Sequence, residues 1–258
     1  MCGRYATARD PVDLVEEFDI ERVAVDEALA PNYNVAPTDP VYAVLERVDK
    51  EHPNAAAQRQ LRVVRWGLVP SWAKDPKIGS RLINARAETL AEKPAFRKAF
   101  ATRRCLLPAD GYYEWYTDVD ASDTPGKKGG VQKGGKQPFF IHRRGGGILP
   151  MAGLYEFWRD PNAPADADPW LWSCTVITTE AADELGRIHD RMPMLVEPQN
   201  WNRWLDPRVD DPKDLSRLLV PAAPGRLVAY PVSTEVNDVR NNGPELITPV
   251  EGIALPGS

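Results

Sequence analysis

The chain has 258 residues, 43% hydrophobic and 27% charged, with a net charge of −5 and a pI near 5.4. A single domain of this length buries roughly 70–75% of its unfolded surface, so it needs no disulfide staples. The acidic balance excludes a protein that coats nucleic acid through bulk charge, but leaves room for a local basic groove. The three cysteines, Cys2, Cys105 and Cys174, form no CxxC pair, and His52, His142 and His189 have no zinc-site spacing, so no metal or cofactor is expected. No signal peptide is recognisable and no apolar run approaches the ~20 residues that span a bilayer. The expectation is a soluble, cytoplasmic, monomeric protein with no membrane partner.

In chain order, Met1-Cys2-Gly3-Arg4 comes first. A small residue after the initiator methionine permits its excision, which would leave a thiol and a free α-amine on adjacent carbons. The amine titrates at about 7.7–8.0 and the thiol at about 8.5, so both are partly deprotonated near neutrality. Such a 1,2-aminothiol closes a thiazolidine on an aldehyde, or attacks an amide with its own amine as base. Packing of Cys2 in the core is the alternative, since free cysteine is often buried.

Asp10-Pro11 reads as a helix cap with proline in the first turn, and Leu14, Val15 and Phe18 continue an apolar stripe to about Ile20. Pro31–Pro37 reads as an irregular, sculpted loop. Strands are expected over Val41–Val48 and Leu61–Val69, joined by a polar connection over Lys50–Gln60. A loop over Ala73–Ser80 leads to Leu82–Thr89, with helical turns near Glu88–Glu92 and Pro94–Phe100. Arg104–Leu107 and Gly111–Tyr116 are rich in strand formers. Residues 119–136, almost without apolar side chains and rich in glycine and lysine, read as a flexible hairpin insertion. Strands follow at Phe139–Arg143, Ile148–Trp158 and Trp170–Thr178. Thr179 is placed to cap a helix through Leu185. Helices are expected over Pro198–Leu205 and Pro212–Leu219, then a strand over Leu227–Val232. Proline, at 25 residues, is about twice its usual ~5% share and favours short elements. With no repeat or linker, 1–258 reads as one α+β domain with a β-rich, barrel-like core and peripheral short helices.

Several residues invite chemistry. Asn84 and Arg86, two apart on an extended segment, share a face that suits an anion or a polarised oxygen. Glu114 lies among aromatics, where burial raises a carboxyl pKa toward neutrality; an outward strand glutamate is the alternative. His189, in a turn ending at Pro193, suits a general acid, with Arg191 beside it for a phosphate, or is merely exposed. Trp66 and Trp72 could stack unpaired bases at about 1–3 kcal/mol each, although core packing is expected of at least one. Arg81, Arg86, Arg97, Arg103 and Arg104 crowd into one short region, with Arg4 and Arg191 outside it.

Met1–Tyr5, Tyr33–Pro37, Trp66–Trp72, Asn84–Thr89, Ala109–Trp115 and His189–Pro193, in that order, resemble the SOS-response-associated peptidases, or abasic-site processing proteins. The resemblance runs from Cys2 to about Val250. It implies a DNA-damage protein that binds single-stranded DNA and traps abasic sites, acting in the cytoplasm at damaged DNA on the nucleoid. Cys2, freed of Met1, would form a Schiff base through its amine and a thiazolidine through its sulfur. Asn84 would position the N-terminus, Glu114 would move protons to and from the amine, and His189 would protonate the opening sugar. Arg4, Arg86 and Arg191 match phosphate positions, and Asn34 and Trp72 fall in DNA-binding motifs. The same centre would account for autoproteolytic, peptidase and possible lyase activity. Ala73 stands where some relatives have a second aromatic, which puts one stacking surface in doubt. Two other readings compete: a class II glutamine amidotransferase-like amidohydrolase, weakened by the lack of a His-Asn-Gly or Asn-Gly-Glu segment, and a non-covalent single-strand-binding module.

Overall fold

The structure is a computed structural model and describes residues 2–48, 56–117, 136–181 and 183–251. Its first elements are β1 (Tyr5–Thr7), α1 (Pro11–Glu17), β2 (Arg22–Ala24), β3 (Asn32–Val35), β4 (Pro40–Arg47), β5 (Gln58–Trp66) and β6 (Asn84–Arg86). Next come α2 (Arg97–Thr102), β7 (Arg104–Ala109), β8 (Gly111–Tyr116), β9 (Gln137–Arg143), β10 (Leu149–Arg159) and β11 (Trp170–Glu180). The last are β12 (Arg191–Pro193), α3 (Trp201–Leu205), α4 (Pro212–Ser216) and β13 (Leu227–Pro231), with 3-10 turns between. At α1 the Asp10 carboxylate accepts the Val12 N–H at 2.8 Å, the cap that the Asp-Pro pair foretells.

Five strands close on themselves in the order β11-β10-β7-β4-β5. Four of the joints are antiparallel, and the fifth is a short parallel contact in which Ser173 faces Arg65 and Cys174 faces Trp66. Closure removes the unpaired edges that would otherwise template aggregation. A second, antiparallel sheet, β13-β9-β8-β1-β3, lies against this barrel.

Alternation along the strands sorts the core into layers. Val41, Ala43 and Leu45 point into the barrel and meet Tyr112, Phe139 and Ile141 of the second sheet. Tyr42 and Val44 point outward, under Leu14 and Phe18 of the α1 region, Phe100 of α2 and Trp204 of α3. On the far face of the second sheet, Tyr113 and Phe140 are covered by Val232, Val236 and Leu246. The chain is thus α+β with a barrel core and short peripheral helices. Arg104, buried beneath α2 and α3, donates to the carbonyls of Phe100, Ala101, Trp204 and Asp206. That use satisfies orphan carbonyls at two helix ends and takes Arg104 out of any basic groove.

Some elements differ from expectation. Asn32–Val35 is a strand rather than an irregular loop, because pairing of Tyr5 with Val35 and the internal bonding of Asn34 outweigh its poor strand propensity. β2 was not foreseen; it is three residues long and held by parallel pairing to β5. Thr179 caps no helix, since Thr178–Glu180 stays extended against β12, and a 3-10 turn over Asp183–Arg187 follows. β5 begins at Gln58, inside the expected polar connection. Residues 49–55, and the 119–136 insertion apart from Lys136, lie outside the described residues.

After β5 the chain turns through Gly67, whose φ is +126° and whose Cβ, if present, would sit 2.7 Å from the Gly79 carbonyl oxygen. This close approach sets the path from Trp66 to β6 and so positions Asn84. Gly67→Ala is expected to destabilise by about 1–3 kcal/mol, read as a lower denaturant midpoint with an unchanged slope. An unchanged midpoint would show that the backbone relaxes freely there.

Candidate active site

Cys2 begins the described chain and is fully buried, with Tyr5, Tyr112 and the barrel interior. Burial pushes its thiol well above the ordinary value, and the nearby Glu114 carboxylate adds to the effect. The thiol is therefore protonated at neutral pH. Its backbone carbonyl accepts a 2.8 Å hydrogen bond from Asn84 Nδ2. Asn84 reaches it because β6 runs parallel to β11, Asn84 opposite Val176 and Arg86 opposite Thr178. Ala85 points the other way, into the outer core. Asn84 Oδ1 is buried with no hydrogen-bond partner among the described residues.

Glu114 lies on β8, on the same face as Tyr112 and Tyr116, which both join the interior core. It is 3% exposed, and burial raises its pKa from 4.5 to about 7, with Asp190 adding a smaller upward push. The alternative of an outward-facing glutamate is excluded.

His189 Nδ1 accepts the Arg191 backbone N–H at 2.9 Å. Burial lowers the ring's pKa, so it is neutral at pH 7 and carries its proton on Nε2. Asp190 Oδ1 also lies 2.9 Å from Nδ1. In the neutral ring no proton sits between them, and the main-chain bond governs the tautomer. Glu114, Trp115, Lys136, His189 and Asn237 line one open cleft of about 480 Å³. Sequence reasoning missed Lys136 and Asn237 as cleft residues. They come from segments distant in the chain, and only the Trp115 Nε1–Asn237 Oδ1 bond of 2.7 Å ties one of them to a recognised motif.

The other expected residues fall into three groups. Arg4 Nη1 donates to Asn34 Oδ1 at 2.7 Å and to the Val236 carbonyl at 2.9 Å, and its Nε is buried without a hydrogen-bond partner among the described residues. Asn34, 2% exposed, spends its amide on the carbonyls of Val236, Asp238 and Asn241. It therefore orients Arg4 and the 234–241 segment rather than facing solvent. Arg191 forms a two-pronged pair with Glu88 at 2.9 and 3.0 Å and donates to the Thr178 carbonyl at 2.6 Å, holding Glu88 below the usual carboxylate range. Arg86 is exposed beside that pair. Trp66 is wholly buried, its Nε1 donating to the Ile83 carbonyl, whereas Trp72 is 60% exposed. The site brings Cys2, Asn84, Glu114 and His189 into one region with arginines at its border. Among the described residues no cluster of His, Cys, Asp or Glu could hold a metal ion.

This arrangement can hold a chain terminus, exchange a proton near pH 7 and donate another from a neutral imidazole. The SOS response associated peptidase (SRAP) family matches residues 1–239. "Abasic site processing protein YoqW" of Bacillus subtilis is 39% identical over 96% of this chain and 99% of its own. "Abasic site processing protein HMCES" of Xenopus tropicalis is 30% identical over 100% of this chain and 82% of its own. In fold, a crystal structure of a protein from Bacteroides thetaiotaomicron superposes with a TM-score of 0.73 at 23% identity, covering 96% of this chain and all of that one.

Proposed function

Because the chain belongs to the SOS response associated peptidase family, we propose that it captures abasic sites in single-stranded DNA as a covalent adduct on Cys2, once Met1 has been removed. The observation that carries this reading is the Asn84 Nδ2–Cys2 carbonyl bond, made beside a carboxyl that titrates near 7. It fixes the backbone from which the new α-amine would project.

In the proposed sequence His189 Nε2 gives its proton to the ring oxygen of the abasic deoxyribose while the C1 hydroxyl gives up its own, which returns to the imidazole. The sugar thus opens to its aldehyde with no net proton change. The Cys2 amine adds to the aldehyde carbon, and loss of water leaves an imine. The sulfur then adds to the imine carbon while the thiol proton passes to nitrogen. The net change is one aldehyde and one aminothiol giving one thiazolidine and one water. Glu114, ionised in about half the molecules near pH 7, accepts the ammonium proton and returns it to the departing hydroxyl. The elevated thiol pKa supports this order, with the amine first and sulfur second. Arg4, Arg86 and Arg191 are assigned to phosphates, Arg191 giving up part of its pairing with Glu88, and Trp72 to a base. Asn34 supports Arg4. Removal of Met1 by the same centre, peptidase or lyase action, a monomeric state, and a place in the cytoplasm at damaged DNA on the nucleoid are parts of the same proposal.

The test uses a short single-stranded oligonucleotide with one abasic site. The processed protein should give a slower-migrating species that survives SDS and heat. A version extended by residues ahead of Cys2 should give none, because its α-nitrogen is an amide. An adduct formed equally well by the extended protein would overturn the amine's role.

A further inference from the structure

The barrel has an end remote from Cys2, where β4 and β10 finish and β5, β7 and β11 begin. There the inward positions continue the alternation of the core but change in kind. Leu45 gives way to Arg47 on β4, Val64 to Arg62 on β5, Tyr155 to Phe157 on β10, and Cys174 to Trp172 on β11. Trp172 forms the floor. Tyr155 stacks on it at 5.8 Å and 12°, and the guanidinium carbons of Arg62 and Arg47 lie 4.4 and 4.9 Å from its ring centre. Arg47 also lies 5.9 Å from Phe157, whose ring meets the edge of Trp170. Trp170 stands on the rim, 45% exposed.

The charges here are unbalanced. Nearby Arg59 is paired with Glu46 and Arg103 with Glu156. Arg47 and Arg62 have no carboxylate partner among the described residues, and Arg62 hydrogen-bonds only to Gln60 Oε1. Arg22, on the neighbouring β2, adds a third positive charge. Burial first, then Arg47 and Arg22, pull Arg62 below its ordinary pKa, while Tyr155 and the Asp26 carboxylate push weakly the other way. A cation cluster of this kind weakens the empty barrel and favours an anion by the same coupling. Barrel mouths with aromatic walls and a few convergent polar groups are a common setting for small ligands.

We propose that this mouth is a second binding site, which takes a nucleotide with its phosphate on Arg47, Arg62 and Arg22 and its base against Trp170 and Phe157. Planar guanidiniums match phosphate, and an exposed indole stacks any base. The site is separate from the catalytic centre. Trp172 is four residues along β11 from Val176, which faces Asn84, about 13 Å at 3.3 Å per residue. The inference rests on the reading above only in preferring a nucleotide supplied by a single strand to a free one.

The test measures quenching of tryptophan fluorescence in the full chain by thymidine monophosphate and by an undamaged oligothymidylate of about twenty nucleotides. Wild type is compared with Arg47→Glu/Arg62→Glu and with Trp170→Ala, a rim change that serves if the double reversal fails to fold. The double variant should bind the oligonucleotide about tenfold more weakly, with a salt slope lower by about 0.7 for each phosphate no longer neutralised. Trp170→Ala should weaken it about tenfold by removing the stacking surface. Equal affinities and slopes in all three proteins would overturn the site. If the variants lose the mononucleotide but keep the strand, the site stands and its source is a free nucleotide. Failure of wild type to form the SDS-stable adduct would sink the capture reaction, while binding of undamaged strand at the mouth is read independently.

Discussion

Cys2→Ala protein, incubated with an oligonucleotide carrying one abasic site, is expected to leave no species that survives SDS and heat, a loss of more than about 100-fold or some 2.7 kcal/mol. The variant keeps an α-amine and so keeps the imine step. An imine hydrolyses, and only the sulfur closes a ring that resists it. Borohydride added during incubation should therefore rescue an adduct in Cys2→Ala, by reducing the imine, whereas wild type should give a heat-stable species with or without it. The buried site of Cys2 explains why both arms are needed: its thiol is protonated at neutral pH, so attack by sulfur alone is slow. A heat-stable adduct in Cys2→Ala without borohydride would end the thiazolidine reading. Equal non-covalent retention with no adduct in either protein would favour a plain binding module.

The second large effect concerns Glu114, and it has opposite signs for function and for stability. Its pKa rises from 4.5 to about 7 on folding because the carboxyl is buried. A carboxyl with a raised folded pKa holds its proton more tightly in the native state. Its contribution to stability is therefore fully present below about 4.5 and is lost as pH climbs through about 7. At 1.36 kcal/mol per unit, the loss by pH 8 has a ceiling of roughly 3 kcal/mol. Glu114→Gln escapes that loss. It should melt above wild type at pH 8 by several degrees, with the gap closing toward pH 5. The same substitution should slow capture at pH 8 by about 100-fold, the usual scale for a positioned proton-transfer group. Wild-type capture should accelerate as pH rises through about 7. A variant that captures at the wild-type rate would remove Glu114 from the reaction, and one that melts lower at pH 8 would contradict its burial as a charge.

The legible parts of the site were those whose chemistry is local. Glu114 could be picked out because Tyr112 and Tyr116, two positions to either side on the strand, share its face. Asn84 and Arg86 could be paired because two residues of extended chain put both on one face. Asn34 shows where this reasoning stops. Its motif suggested a contact with DNA, yet three backbone carbonyls from residues 236–241 claim its amide, and no local rule announces a partner some 200 positions away. Lys136 and Asn237 escaped for the same reason. In the fold, β4, β8 and β11 could be read from runs of strand-forming residues, whereas β2, β6 and β12 are three-residue strands defined by their partners. Barrel closure rests on a single parallel contact at Trp66 and Cys174, and strand patterns carry no signal for it.

The bonding of Asn34 has a consequence for the ends of the chain. Arg4, two residues from Cys2, is tied to Val236 both directly and through Asn34, and Asn237 forms part of the cleft wall. The carboxy-terminal segment is therefore a buttress for the amino terminus. A chain cut before residue 234 would lose one wall of the cleft, the Asn34 amide would lose the three carbonyls that hold it, and the Arg4 guanidinium would keep Asn34 Oδ1 as its sole acceptor among the described residues. The geometry around Cys2 and the integrity of the 234–241 segment are mechanically a single requirement.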